Sequence, residues 1–408
     1  MKKLFLTLAA MALIGGGYLF SGPANAAGKT YSGTAYVAGM GGHFAKVQFT
    51  VNPADTQNPI TVHHLSRIVI GTWRDHAVHD PRIDSNNRNI MMFSTYSLDP
   101  KGYYHVGEID LRTGKVIKDM AIRPDKLATV TGAGYCASGQ TGKYYIPVIM
   151  TDQGYIDVRS KKTWRLAHRV FLGSIGMKDH NYVFTHGTNT PNMKEFIVVN
   201  NMGDATGRKP HCYSNLNGKV TFTLVDMNAL VRGKLDVIKK NVLYGAPGDT
   251  ITFRQSFTPD GKYLLQSAGD RLWVLNAKTL KLYDQKMMGT SENVPPVSCS
   301  LEGKPLTNFP LSEIEKLPAV SVNVPSVANG QLHDAISTPD SKYALLTVRV
   351  PLRSGKKIVT EGVMQLYDIQ HKKMIGHPAS VCGACHYKYG KDMIFSAALC
   401  GIDVNWKK

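Results

Sequence analysis

The chain has 408 residues, with 48 lysines and arginines against 30 aspartates and glutamates, for a formal charge of +18. Six cysteines in this length do not make a disulfide scaffold. The basic residues fall in scattered pairs, such as Lys161-Lys162, Lys239-Lys240, Lys356-Lys357 and Lys372-Lys373, which argues against nucleic acid and for acidic protein partners, anionic substrates or an anionic surface.

Lys2 and Lys3 precede an apolar run, and Ala24-Asn25-Ala26 follows it as a small-residue cleavage site. That pattern predicts a signal peptide over residues 1–26 and export, with the periplasm as destination. The run is short for a span and is broken by three glycines, and no later stretch approaches one, so a soluble mature chain without a transmembrane segment is expected. The mature chain keeps a charge of +16.

Beyond the leader, β-branched and aromatic residues alternate with polar ones, and amphipathic helical patterns are missing apart from a short stretch near Leu311, which predicts an all-β fold. Copies of one strand pattern appear in order: Met91 to Met120, with Asp99-Pro-Lys-Gly-Tyr103 as its turn; Lys143 to Val170; and Glu195 to Asn201, resuming at Val220. The last two copies, led by Thr258-Pro-Asp-Gly-Lys-Tyr263 and Thr338-Pro-Asp-Ser-Lys-Tyr343, align best. Each has a turn, an apolar strand, a break, a second strand ending in Asn or Asp, a polar turn and a third strand, the grammar of a propeller blade. Their turns lie 80 residues apart, which at a repeat of roughly 40–50 residues reads as two blades. A single β-propeller is therefore expected over residues 27–408, with six to eight blades and seven favoured. Asp392 to Trp406 would pair with N-terminal strands to close it. A sandwich or barrel with coincidental turns is the alternative. Residues 290–332, rich in proline and polar residues, read as a lid or docking loop inserted on one face, and Asn200 to Lys219 as a second irregular connection.

Near the C-terminus the chain reads Val381-Cys-Gly-Ala-Cys-His386. Two thiols at this spacing reach the two vinyl groups of a porphyrin, and the adjacent histidine falls under the iron. In an exported chain this assigns one covalent haem c to Cys382 and Cys385, with His386 as proximal iron ligand. Competing readings are a Cys382–Cys385 disulfide or redox pair, and a zinc site that draws on Cys400. His377 and Met393 are candidates for the distal ligand, with His371 and Met374 nearby and His371 expected at the surface. With two cysteines on haem, Cys136, Cys212, Cys299 and Cys400 allow three full disulfide pairings. A propeller brings loops of distant blades to one axial mouth, so Arg74, Asp75, His76, His79, His180, His186 and His333 form a pool for a metal or second cofactor there. No phosphate loop, calcium loop or Gly-x-Ser-x-Gly motif points to other chemistry.

The Thr258-Pro-Asp-Gly-Lys-Tyr263 repeat and the Cys-Gly-Ala-Cys-His386 site together resemble the exported cytochrome-type β-propellers. These include the haem-d propeller of the cytochrome cd nitrite reductases and the lactonase-like and amine dehydrogenase propellers. The resemblance covers about residues 90–400 and implies a periplasmic redox protein. Cytochrome cd enzymes carry haem c in a separate helical domain ahead of the propeller, whereas here the motif lies in or beside the last blade. Nitrite reduction and that family's catalytic histidines therefore map onto no particular residue of this chain. The expected function is a monohaem c-type cytochrome that relays electrons to a redox protein with an acidic surface, as a single protein or as a subunit of a larger complex. The alternatives are a haem-dependent oxidoreductase with a second cofactor or metal in the mouth, acting on a nitrogen or sulfur oxyanion, and a binding or scaffold propeller without haem.

Overall fold

Phe196-Ile-Val-Val199 is apolar at every position, so a strand there must bury both faces. Phe196 and Val198 indeed pack toward the preceding sheet, and Ile197 and Val199 toward the following one. This arrangement recurs around an axis in a computed structural model. It describes residues 29–39, 42–72, 75–127, 134–149, 154–176, 182–203, 216–247, 250–288, 326–328, 330–354, 357–381, 386–389, 393–397 and 399–407.

The first strands are β1 (Tyr31–Gly39), β2 (His43–Val51) and β3 (Ile60–Val69). Blade 2 holds β4 (Val78–Ile83), β5 (Ile90–Thr95), β6 (Tyr104–Asp110) and β7 (Lys115–Ile122). Blade 3 holds β8 (Tyr135–Gln140), β9 (Tyr144–Ile149), β10 (Tyr155–Ser160) and β11 (Leu166–Phe171). Blade 4 holds β12 (Tyr182–Asn189), β13 (Glu195–Gly203), β14 (Leu216–Asp226) and β15 (Val237–Tyr244). Blade 5 holds β16 (Thr252–Phe257), β17 (Tyr263–Ala268), β18 (Arg271–Asn276) and β19 (Leu282–Met287). Blade 6 holds β20 (Gln331–Ser337), β21 (Tyr343–Ser354), β22 (Lys357–Asp368) and β23 (Lys373–Ser380). Two short strands, β24 (His386–Tyr389) and β25 (Met393–Ala397), extend its sheet. Finally β26 (Leu399–Trp406) pairs with β1 and becomes the innermost strand of blade 1.

The ring thus has six blades, fewer than the seven favoured from sequence. Two features inflated the estimate. The N-terminal strands and β26 make one composite blade rather than two. The two Thr-Pro-Asp turns lie in adjacent blades, 5 and 6, because the 80-residue spacing includes the long connection between β19 and β20. Most of that connection, the expected lid, lies outside the described residues, as do Leu311 and the signal peptide. The closing pairing holds for Leu399–Trp406, whereas Met393–Ala397 pairs with β24 and, in parallel, with β22.

Among the described residues six apolar clusters lie between consecutive blades, so alternate side chains of a strand serve two cores. One face carries tight turns. Thr338 donates its hydroxyl to Asp340 Oδ1 at 2.9 Å, and Thr258 does the same to Asp260 at 2.7 Å. Tyr31 of blade 1 donates to Asp340 Oδ2 at 2.7 Å, tying the ring at its seam. A third such turn, Thr190 to Glu195 in blade 4, has Asn192 in place of Asp and Met193 at φ +56° in place of glycine, which hid it in the sequence. The Asp99 turn instead joins β5 to β6 and so belongs to the opposite face.

That opposite face holds the long connections. Gln331, at the start of β20, pairs with Arg349, so the remainder of β21 and its partner in β22 project past the starting end of the innermost strand. β25 pairs with this projection through Val359↔Phe395 and Thr360↔Ser396, and β24 pairs with β25. The segment that bears His386 therefore stands at the mouth where the innermost strands begin.

Candidate functional site

Every innermost strand carries an extra residue near its start. The pairing register steps over His79 in β4, Cys136 in β8, Val183 in β12 and His333 in β20. In β16 Phe253 and Arg254 share one partner position, and in β26 Cys400 and Gly401 do. Such bulges re-aim side chains. Here they form a ring at one end of the channel.

Three members of the ring converge from adjacent blades. His79 of blade 2, Cys400 of blade 1 and His333 of blade 6 each offer a ligand atom, and these atoms lie within 4.8 Å of one another. All three residues are buried, at 3%, 0% and 1% exposure. Phe253 stacks on His333 with ring centroids 4.5 Å apart, Tyr96 stacks on His79 at 4.9 Å, and the two imidazoles meet edge to face at 5.4 Å. Arg349 Nη2 donates to Cys400 Sγ at 3.3 Å.

One residue deeper, Arg254 crosses the axis. Its guanidinium pairs with Asp334 at 2.9 Å in the neighbouring blade 6 and with Asp80 in blade 2, on the far side of the ring. Ser138 of blade 3 donates to Asp80, and the Ile402 N–H of blade 1 donates to Asp334 at 2.9 Å. One buried arginine thus closes the channel beneath the cluster. Burial works against its charge, but Asp80 and Asp334 more than offset this and raise its pKa. Gly401 makes room for it, since a Cβ there would lie 2.6 Å from the guanidinium carbon.

Burial, reinforced by Arg349 and His79, holds the His333 ring far below the usual imidazole range, and burial with Arg254 does the same to His186. Both rings are therefore neutral at pH 7, the form that binds metals. Burial pushes the Cys400 thiol up, against the pull of Arg349 toward thiolate.

A second cluster lies off the axis in blade 2. His76 bonds Asp119 at 2.9 Å and Asp75 at 3.1 Å, while His105 bonds Asp119 at 3.0 Å and Asp99 at 3.4 Å. The two imidazoles sit 4.1 Å apart, centroid to centroid. Burial opposes the His76 charge, yet the hydrogen bonds and charges of Asp119 and Asp75 outweigh it and raise the pKa.

The sequence pool therefore divides. His79 and His333 meet at the mouth, and His186 lies on β12 of blade 4, stacked on Phe184 at 6.0 Å. His76 and Asp75 belong to the blade 2 cluster instead, and Arg74 and His180 lie outside the described residues. Cys382 and Cys385 also lie outside them. His386 begins β24 opposite Ala397, and Met393 begins β25 opposite Tyr389, at the other end of that ribbon. His377 sits exposed on β23, its N–H bonded to Gln57 O at 2.7 Å. His371 is exposed as expected and bonds Asp368 at 2.8 Å. Cys400 is a free, buried thiol, so each of the three full disulfide pairings, all of which include it, falls. Sequence reasoning had no role for Arg254 and treated Cys400 as a disulfide or zinc partner of its neighbours. The available signal was the His-Asp pair repeated at 79–80 and 333–334, each early in an innermost strand. A groove between blades 4 and 5, lined by Asn192, Pro259 and Lys278, contains none of these residues.

Among the described residues no helix is long and apolar enough to cross a membrane. No family model and no curated protein matches the chain. Among solved structures it is similar to the hydrazine synthase of Kuenenia stuttgartiensis, at 14% identity and a TM-score of 0.42, over 73% of this chain and 64% of that one. It thus spans less than two thirds of the hydrazine synthase chain. It is also similar to the β-propeller domain of Cps50 (Swd1) from Myceliophteria thermophila, at 9% identity and a TM-score of 0.37, over 74% of this chain and 86% of that one. Likenesses at these identities concern the fold alone, and the fold of this chain is an all-β, six-bladed propeller.

Proposed function

We propose that the protein is an exported, periplasmic monohaem c-type cytochrome that exchanges electrons with a docked redox protein. The observation that carries this reading is the Cys382-Gly-Ala-Cys-His386 motif downstream of an export signal. Cys382 and Cys385 would hold the haem through thioethers and His386 would ligate its iron, with His377 and Met393 as candidates for the sixth position. The bound haem supplies one-electron exchange. The donor set fits the group, and the placement supports it: β24 is the edge of its sheet among the described residues, at the open end of the channel. An edge position leaves a side for a partner, and the charge of +16 on the mature chain selects one with an acidic surface.

A pyridine haemochrome spectrum and intact mass of chain matured in a cytochrome c-assembling periplasm test the reading. One covalent haem per chain, absent from Cys382→Ala/Cys385→Ala, is the expected result. A colourless wild-type protein with a Cys382–Cys385 disulfide would overturn it. The convergence of His79, His333 and Cys400 favours a second reading, an oxidoreductase with a metal at the mouth. Turnover of a nitrogen or sulfur oxyanion, lost on His333→Gln, is its test.

A further inference from the structure

We infer that His79, His333 and Cys400 form a three-coordinate site for a single copper ion, held as Cu(I), at the ringed end of the channel. This goes beyond the haem assignment and does not depend on it.

The donor atoms are already gathered. Metal–nitrogen and metal–sulfur bonds of about 2.0–2.3 Å place the donors of a trigonal site about 3.5–4 Å apart, and these three already lie within 4.8 Å of one another, so each would close on the ion by less than about 1 Å. Each projects from a bulge on an innermost strand, and stacking with Tyr96 and Phe253 fixes both imidazole planes. His333 Nδ1 is fully buried and has no hydrogen-bond partner. A buried ring nitrogen without a partner costs on the order of a lost hydrogen bond unless something occupies it. The blade 2 cluster satisfies the same distance criterion, but each ring nitrogen of His76 and His105 already faces a carboxylate. That cluster reads as an ion-pair chain.

The identity of the metal follows from number and charge. Among the described residues, no fourth His, Cys, Asp or Glu joins the group, which leaves it short of the four protein ligands of a structural zinc site, and a three-ligand zinc site would need a water in the fourth position. Two imidazoles and one thiolate in a trigonal set suit copper. The Arg349 guanidinium already lies 3.3 Å from the sulfur, and Asp80 and Asp334 are engaged by Arg254. A divalent ion would add to buried positive charge there, while Cu(I) with the Cys400 thiolate is neutral. Ligation displaces the thiol proton, so one proton leaves for each ion bound.

The test is an anaerobic titration of the metal-stripped full chain with Cu(I) against a chromophoric chelator. The Cys382→Ala/Cys385→Ala background removes the other paired thiols. One equivalent should bind, with two nitrogens and one sulfur in the X-ray absorption first shell. Affinity should rise about tenfold per pH unit below the thiol pKa. Cys400→Ser and His333→Gln should each weaken binding at least about 100-fold, and His105→Asn should leave it unchanged. Cu(I) should also raise the Tm of the unsubstituted chain, a readout that stands if a ligand variant fails to fold. Absence of stoichiometric copper, equal affinity in Cys400→Ser, or retention of zinc against excess Cu(I) would overturn the proposal. Because the titration runs without the haem cysteines, failure of the haem reading would leave its outcome intact.

Discussion

Two clusters of histidine in this propeller, barely a blade apart, have been given opposite electrostatic surroundings. At the axis, His333 and His79 face aromatic rings, a thiol and two arginines, and burial drives the His333 proton off. In blade 2, His76 and His105 face Asp75, Asp99 and Asp119, and the hydrogen bonds and charges of Asp119 and Asp75 raise the His76 pKa against burial. The contrast teaches that what a histidine can do depends on which charges its neighbours supply. A neutral ring with an unused nitrogen, such as His333, suits a cation, whereas rings hydrogen-bonded between carboxylates fasten strands.

The largest expected effect breaks the axial side. Arg254→Met leaves Asp80 and Asp334 buried with their shared cation gone, at a cost of about 3–5 kcal/mol in chemical denaturation. Loss of less than about 1 kcal/mol would mean that Ser138 and the Ile402 N–H satisfy the carboxylates by themselves. A smaller loss, about 1–3 kcal/mol, is expected for Gly401→Ala, whose methyl group would meet the Arg254 guanidinium. Combining it with Arg254→Met should give less than the sum of the two, since one removes what the other strikes.

The smallest effect sharpens the other side. His76→Asn should cost about 1 kcal/mol near pH 6, a figure discounted because Asp119 is 35% exposed. The His76 pKa is raised in the folded chain, so its stabilisation is complete below about pH 6.5 and disappears as pH rises through the folded-state value. Asp119 is depressed, so its share is present above about pH 4 and lost on acidification. The wild-type advantage should therefore be greater at pH 6 than at pH 9. A difference that does not change with pH would show that His76 acts by packing alone.

Much of the blade architecture could be read from strand alternation, because both faces of every sheet are buried and the apolar runs are long. The blade number could not, because a long connection between β19 and β20 looks in sequence like a blade's worth of chain. The site was half legible. His79 and His333 stood out by residue type, but their meeting with Cys400 depends on β26 closing the ring beside β1, a pairing of residues more than three hundred positions apart. Arg254 left no mark, because an arginine reads as surface until three aligned bulges and two aspartates enclose it.

The closing strand also imposes an order of assembly. β26 is synthesised after every blade that it joins, and Cys400 arrives with it. Blades 2 to 6 can collapse one upon the next as they emerge, yet the His79–His333–Cys400 triangle cannot exist before the seam is sewn. A half-folded propeller would therefore offer no such cradle to a stray ion, and possession of the triangle would itself certify a finished ring.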